Sequence, residues 1–150
     1  MQAMSRPGEL ASYFSRCHCG ALSASYRTAL ATSSWSTRLC QCAFCRAHGA
    51  TSTSDPAGEL TFAAAEPALL QRYQFGTRSA DFLICRACGV FMGAVMTLDA
   101  GRWGVLNART VQPIPSDLPP AQAMSYEGEA SNARAERRTQ RWTPLTAESL

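Results

Sequence analysis

Lysine is absent: all fourteen basic residues of the 150-residue chain are arginine. Schiff-base catalysis and nucleotide binding through a lysine-bearing phosphate loop are therefore excluded. Histidine is scarce, with His18 and His48 the two imidazoles present. A serine–histidine hydrolase, which needs a free histidine with an orienting partner, is accordingly disfavoured. No stretch approaches the about eighteen consecutive apolar residues of a membrane span. Met1 to Gly8 lacks the apolar centre of a signal peptide, so a cytoplasmic location with reduced thiols is the expectation. Charged residues make up 17% of the chain and the net charge is +3, too little to imply a nucleic-acid partner.

What the chain does have is cysteine. Its seven thiols fall in three groups: Cys17-His18-Cys19-Gly20, then Cys40-Gln41-Cys42-Ala43-Phe44-Cys45, then Cys85-Arg86-Ala87-Cys88-Gly89. An odd count in a reducing compartment favours metal binding over a disulfide framework. Cys-x-x-Cys-Gly is a metal knuckle: two thiolates converge on one ion, and glycine supplies a positive φ just after them. Cys-x-Cys on a regular strand holds its sulfurs too far apart, so turns at His18 and Gln41 are required.

The two outer pairs each lack a third nearby ligand, and together they make one all-cysteine tetrahedron. Cys17, Cys19, Cys85 and Cys88 are therefore expected to hold a structural zinc. The middle loop offers Cys40, Cys42 and Cys45, leaving a fourth position for water or substrate. His48 lies three residues beyond Cys45; if it coordinates, the middle site is closed and structural. His18, inside a knuckle, is expected near the ion but not on it. Two zinc ions per chain, one structural and one catalytic, are the cofactor expectation.

Around these clusters the pattern is strand-like and the size is that of a single domain. A core over about 10–112 is followed by a proline-rich linker at 113–120 and a helical tail over 121–150. Ser23, Ala24, Ser25 and Tyr26 alternate as a half-buried strand does. Ala29 to Thr37 reads as a loop, and Leu39 to Cys42 as extended. Ala43 to Ala47 makes a helical turn stopped by Gly49. Asp55-Pro56-Ala57-Gly58 is a turn. Strands are expected at Glu59–Ala63 and Leu69–Phe75, a hairpin from Ala80–Ile84 to Val90–Leu98 with the last knuckle at its tip, and a strand over Trp103–Thr110. A helix from about Glu129 to Arg141 places Arg134, Arg137, Arg138 and Arg141 on one side, read as a solvated charged face with Trp142 against the core. The fold class is mainly β, stapled by zinc, with a short C-terminal helix.

The sequence at this point resembles the glutathione-dependent formaldehyde-activating enzyme family, which includes relatives of centromere protein V. The matching residues are Cys17-His18-Cys19-Gly20-Ala21-Leu22, Cys40-x-Cys42-x-x-Cys45-Arg46 with Gly49-Ala50, and Cys85-x-x-Cys88-Gly89, in their order over about Tyr13 to Thr110. The tail, Tyr126-Glu127-Gly128-Glu129 through Arg137-Arg138 to Trp142-Thr143-Pro144, is similar to that of some members. The resemblance implies stacked sheets, a structural zinc at Cys17, Cys19, Cys85 and Cys88, and a catalytic zinc at Cys40, Cys42 and Cys45. It also implies a carbon–sulfur lyase run in reverse, condensing formaldehyde with glutathione. Phe91-Met92 departs from the small polar residue many members carry there, which alters the expected pocket wall.

On this reading a thiol/aldehyde adduct is the substrate and glutathione the candidate thiol. Arg46, beside the loop, and His48 are the candidate substrate contacts; Arg46 equally suits a surface arginine balancing the thiolates. Phe75 and Trp103 are candidates for the pocket wall or the core. The competing readings are a non-catalytic zinc module that binds protein or nucleic acid through the arginine-bearing tail, and a redox or metal-storage role for the thiols.

Overall fold

Leu22, Ala24, Tyr26 and Thr28 alternate with Ser23, Ser25 and Arg27, so one face of this segment is apolar and the other polar. In the computed structural model, which describes residues 8–150, these four are buried and the segment is the strand β2 (Leu22–Thr28). It pairs antiparallel with β1 (Ala11–Arg16) on one side and with β5 (Glu59–Ala64) on the other, forming a three-stranded sheet. Met1 to Pro7, read above for a targeting signal, lie outside the described residues.

A second, larger sheet packs against the first. Its eight strands include the meander β6 (Leu70–Tyr73), β7 (Asp81–Cys85), β8 (Phe91–Leu98) and β9 (Gly101–Asn107), extended past β9 by β4 (Ser52–Thr53) and β3 (Thr37–Cys40). The core between the sheets contains Leu22, Tyr26, Trp35, Leu60, Phe62, Leu83, Met92 and Leu106. Burial of this apolar surface is the main force holding the sheets face to face. The expected hairpin and the Asp55 turn are both present: Asp55 Oδ1 accepts the amide of Ala57, and Gly58 N–H donates to the Asp55 carbonyl.

The chain after Asn107 departs from the sequence reading in two ways. The 113–120 segment has no regular structure, as expected, but it delivers a short strand, β10 (Gln122–Met124), parallel to β3 at the sheet edge. Three residues with ordinary propensities give no periodic signal, so tertiary pairing alone makes this strand. The helix, α2 (Ser131–Arg141), forms nearly where expected but is not a solvated face: Arg138 is 7% exposed and Arg134 and Arg137 are half-buried. Trp142 packs with Ala80, Ala94, Met96 and Val105 in a second core beneath the helix, as its aromatic bulk suggested. Beyond it β11 (Thr143–Pro144) joins β9, and Arg102 donates to the carbonyls of Thr146, Ser149 and Leu150, tying the chain end down.

Six consecutive residues of β8, Phe91 to Met96, are buried because both faces of this central strand are covered. A bulge lies opposite Leu83 and Ile84, which pair with Gly93 and Phe91 and leave Met92 as the extra residue. That one-residue insertion reverses the parity of the strand. Met92 and Val95 point into the inter-sheet core, whereas Phe91 and Ala94 share the opposite face, which bears the site.

Candidate metal centre and cavity

Cys17–Gly20 is the tip of the β1–β2 hairpin and Cys85–Gly89 the tip of the β7–β8 hairpin. Each tip bends back on itself. Gly20 N–H donates to the Cys17 carbonyl at φ +84°, and Gly89 N–H donates to the Cys85 carbonyl at φ +80°. Both glycines occupy left-handed backbone that other residues adopt only with strain, which is why each knuckle ends in glycine. The turns bring four sulfurs together, one pair from each sheet.

Cys17 and Cys19 Sγ lie 3.7 Å apart and Cys19 and Cys85 Sγ 3.6 Å, and all four thiols fall within 4.8 Å of one another. A tetrahedral ion with metal–sulfur bonds of about 2.3 Å has sulfur–sulfur edges of about 3.8 Å. The donor set and spacing therefore fit zinc. Leu22 N–H donates to the Cys17 sulfur at 3.2 Å, which fixes that side chain in the cluster. Among the described residues all seven cysteines are free thiols.

The middle cluster is built differently. β3 ends at Cys40, held by β10: Met124 pairs with Cys40, and Gln41 N–H donates to the Met124 carbonyl at 2.9 Å. Cys42 then caps the helix α1 (Ala43–His48), its sulfur accepting the Cys45 amide at 3.4 Å. Gly49, at φ +61°, stops the helix as its position suggested. One helical turn thus folds Cys45 back over Cys40 and Cys42, and the three sulfurs lie within 4.8 Å of one another. The strand lies two residues earlier than the expected Leu39–Cys42, since Cys42 is already a cap.

Cys40 and Cys45 move one another's proton affinity in opposite directions. The Cys40 thiol is lowered to about 5, first by the hydrogen bond from Cys45 and then, against burial, by the Cys42 backbone, the Cys42 thiol and the charge of Arg137. Cys45 is raised in turn by that same hydrogen bond and by burial. A thiolate therefore forms readily at Cys40, and a cation is what would allow Cys45 to ionise beside it.

These thiols line a cavity of about 430 Å³, within the size range of small-molecule sites. Phe75, Phe82, Phe91, Ala94, Val105 and Trp142 supply its apolar wall. Phe44, at the thiol loop, stacks on Phe75 with ring centroids 5.2 Å apart and meets Phe82 edge-on at 4.9 Å. The opposite wall is polar: Arg38, Arg134, Arg137 and Arg138 line it, with Glu127 the one carboxylate among the lining residues. Phe75 belongs to the apolar wall, whereas Trp103 packs against the second core.

Arg46 and His48, the candidate substrate contacts, are exposed and do not line the cavity. The His48 ring lies against Phe44 and Phe91, centroids 4.5 and 5.6 Å away, and it is not among the side chains whose ligand atoms converge with the three thiols. The reason is geometric: Arg46, next to Cys45, turns to another side of α1, whereas His48, one turn beyond Cys45, is packed against Phe44 and Phe91. Of the four arginines that do reach the cavity, Arg38 is on β3 and the other three come from α2, about ninety residues beyond the thiol loop; the spacing of Arg134, Arg137 and Arg138 was their only sequence signal.

A family model described as glutathione-dependent formaldehyde-activating enzyme matches residues 12–126. A solved structure of a Rhodobacter sphaeroides protein is similar at 26% identity and TM-score 0.57, covering 74% of this chain and 99% of the other. No curated protein matches the chain. Among the described residues no helix is long and apolar enough to cross a membrane.

Proposed function

Because the chain belongs to the glutathione-dependent formaldehyde-activating enzyme family, we propose that it is a zinc-dependent carbon–sulfur lyase acting on a thiol/aldehyde adduct such as S-hydroxymethylglutathione. The observation that supports this most is a juxtaposition: Cys40, Cys42 and Cys45 converge in the wall of a cavity of about 430 Å³. The outer four thiols hold a structural zinc and these three hold a second. A cytoplasmic location, where thiols remain reduced, suits seven free cysteines.

The reaction balances simply. In the forming direction the substrate sulfur makes a bond to the aldehyde carbon, the carbonyl π pair moves to oxygen, and the thiol proton ends on that oxygen. In the reverse direction the carbon–sulfur bond breaks and the carbonyl re-forms. Zinc on the three thiolates would supply Lewis acidity that favours the thiolate form of a substrate near neutral pH. The remaining work falls to the chain itself. Phe75, Phe82 and Phe91 exclude water from the reacting carbon, strengthening electrostatics within the cavity. The α2 arginines place positive charge opposite a site where negative charge develops.

The zinc-loaded protein, mixed with formaldehyde and glutathione, is expected to speed exchange between free and adduct forms as followed by NMR, and Cys42→Ser should not. Equal exchange with and without protein would overturn the reading. The alternative, a zinc module that uses its arginine tail to bind nucleic acid, is disfavoured by burial: Arg134, Arg137 and Arg138 face a cavity rather than solvent.

A further inference from the structure

α2 lies beyond residues 12–126, the span that matches the family model, yet it supplies three of the four arginines around the cavity. Their partners differ. Arg137 is neutralised by Glu129, whose carboxylate accepts its Nε at 3.0 Å and its Nη2 at 3.1 Å. Its guanidinium also stacks 3.6 Å over the Tyr126 ring. Arg134 lies 3.8 Å from the same carboxylate and donates to the Tyr126 carbonyl. One acid therefore serves two bases.

Arg138 has no such partner. It is 93% buried by the complement of its 7% exposure, and among the described residues no carboxylate pairs with it. Nη1 donates to the Ser79 hydroxyl at 2.8 Å, the guanidinium lies 4.7 Å from the Trp142 ring centroid, and Nε is buried without a hydrogen-bond partner. The charges of Glu129 and Cys40 reach Arg138 without a hydrogen bond or ion-pair contact. A buried cation with no carboxylate in contact is costly to keep, and a serine hydroxyl and an aromatic face offset little of that cost. Arg138 lines the same cavity as the three thiols.

We propose that Arg138, flanked by Arg134 and Arg137, is the anion subsite of this cavity, taking a carboxylate or phosphate of a thiol whose sulfur lies at Cys40, Cys42 and Cys45. The position of the sulfur rests on the lyase reading; the anion subsite rests on the burial and pairing of Arg138. A guanidinium fork matches either anion with two parallel hydrogen bonds. The helix is thus a specificity element added to the family's metal-bearing core. It selects thiols that carry an anion at one end of the molecule.

The test is calorimetric binding to the zinc-loaded protein of two matched pairs of thiols. Reduced glutathione is compared with its diethyl ester, and the phosphate ester of pantetheine with pantetheine. The charged member of at least one pair should bind about tenfold tighter or more; which pair does so separates carboxylate from phosphate. Arg138→Met should erase that difference by weakening the charged thiol alone, and Arg138→Lys should restore part of it. No charge preference in the unmodified protein, no binding by any of the four thiols, or equal loss of charged and uncharged thiols in Arg138→Met would overturn the proposal. Should Arg138→Met fail to fold, the matched pairs on the unmodified protein decide alone. Adduct exchange without charge preference would reject the subsite and keep the lyase; charge preference without exchange would do the reverse.

Discussion

The sulfurs of Cys19 and Cys85 stand 3.6 Å apart although the two residues sit at hairpin tips of different sheets. A metal on this cluster is therefore a staple across the sandwich and not a local decoration of one turn. Cys88→Ser should lose that ion and unfold the chain at ordinary temperature. The apparent affinity of a structural zinc, on the order of 10 kcal/mol or more, is comparable with the whole stability of a small domain. Thermal unfolding with metal analysis checks it; a folded Cys88→Ser that retains all its zinc would contradict it.

Cys42→Ser should behave oppositely. Cys42 caps a single helical turn at the cavity wall and ties no two sheets together. Its loss is expected to cut adduct exchange by about a hundredfold or more, since even supporting partners of a metal site cost ten- to a hundredfold. The melting temperature should move little. A collapse of stability equal to that of Cys88→Ser would show that the two clusters do not divide their work this way.

Gly93 has no room for a side chain. A Cβ there would strike the Val105 carbonyl and the Phe62 ring, and backbone cannot give way as a flexible side chain can. Gly93→Ala should destabilise by about 1–3 kcal/mol or more through overpacking. Denaturant unfolding measures this, and an unchanged midpoint would mean that the two sheets are less closely packed at this point.

The docking of α2 should weaken in acid. Hydrogen bonding to Arg137, opposed by some burial and helped by the nearby arginine charges, holds the Glu129 carboxyl below its ordinary value of 4.5. A group depressed on folding contributes stability that is complete above its ordinary value and lost as pH falls through the lower folded one. Thermal midpoints of the unmodified protein should therefore fall more steeply below about 4.5 than those of Glu129→Gln. Parallel curves would remove the pair from the account.

The clusters were legible because chelation constrains local sequence: two or three thiols must turn toward one ion within a few residues, and glycine marks those turns. Gly20, Gly49 and Gly89 all take positive φ where spacing demanded it. Most strands were legible too, through alternation of the kind seen at Leu22 to Thr28. Trp35 was not; it lies in a Ser/Thr-rich segment read as loop, yet it is 2% exposed and packs edge-on against Tyr13 and Tyr26. A single aromatic has no period to reveal its burial. β10 was invisible because pairing alone makes it.

The cavity was the least legible part. Arg46 and His48 are close to the thiols in sequence, but the helix sends Arg46 to another side than Cys45, and His48 packs on Phe44 and Phe91. Arg138 is far in sequence and close in space, which only the return of the tail along β3 accomplishes. Phe91 reaches the cavity through a one-residue bulge that no hydrophobic pattern announces. The arginine stripe of the tail reads in sequence as an ordinary solvated face.

Zinc-edge X-ray absorption on the purified, metal-quantified protein tests the division of the seven thiols most directly. Two zinc ions per chain are predicted, sharing seven sulfurs, so the average ion should see between three and four sulfurs and a small share of a lighter nitrogen or oxygen neighbour. Cys42→Ser should leave one ion with four sulfurs and no lighter neighbour. A single zinc bound by four sulfurs in the unmodified, zinc-saturated protein would contradict the account.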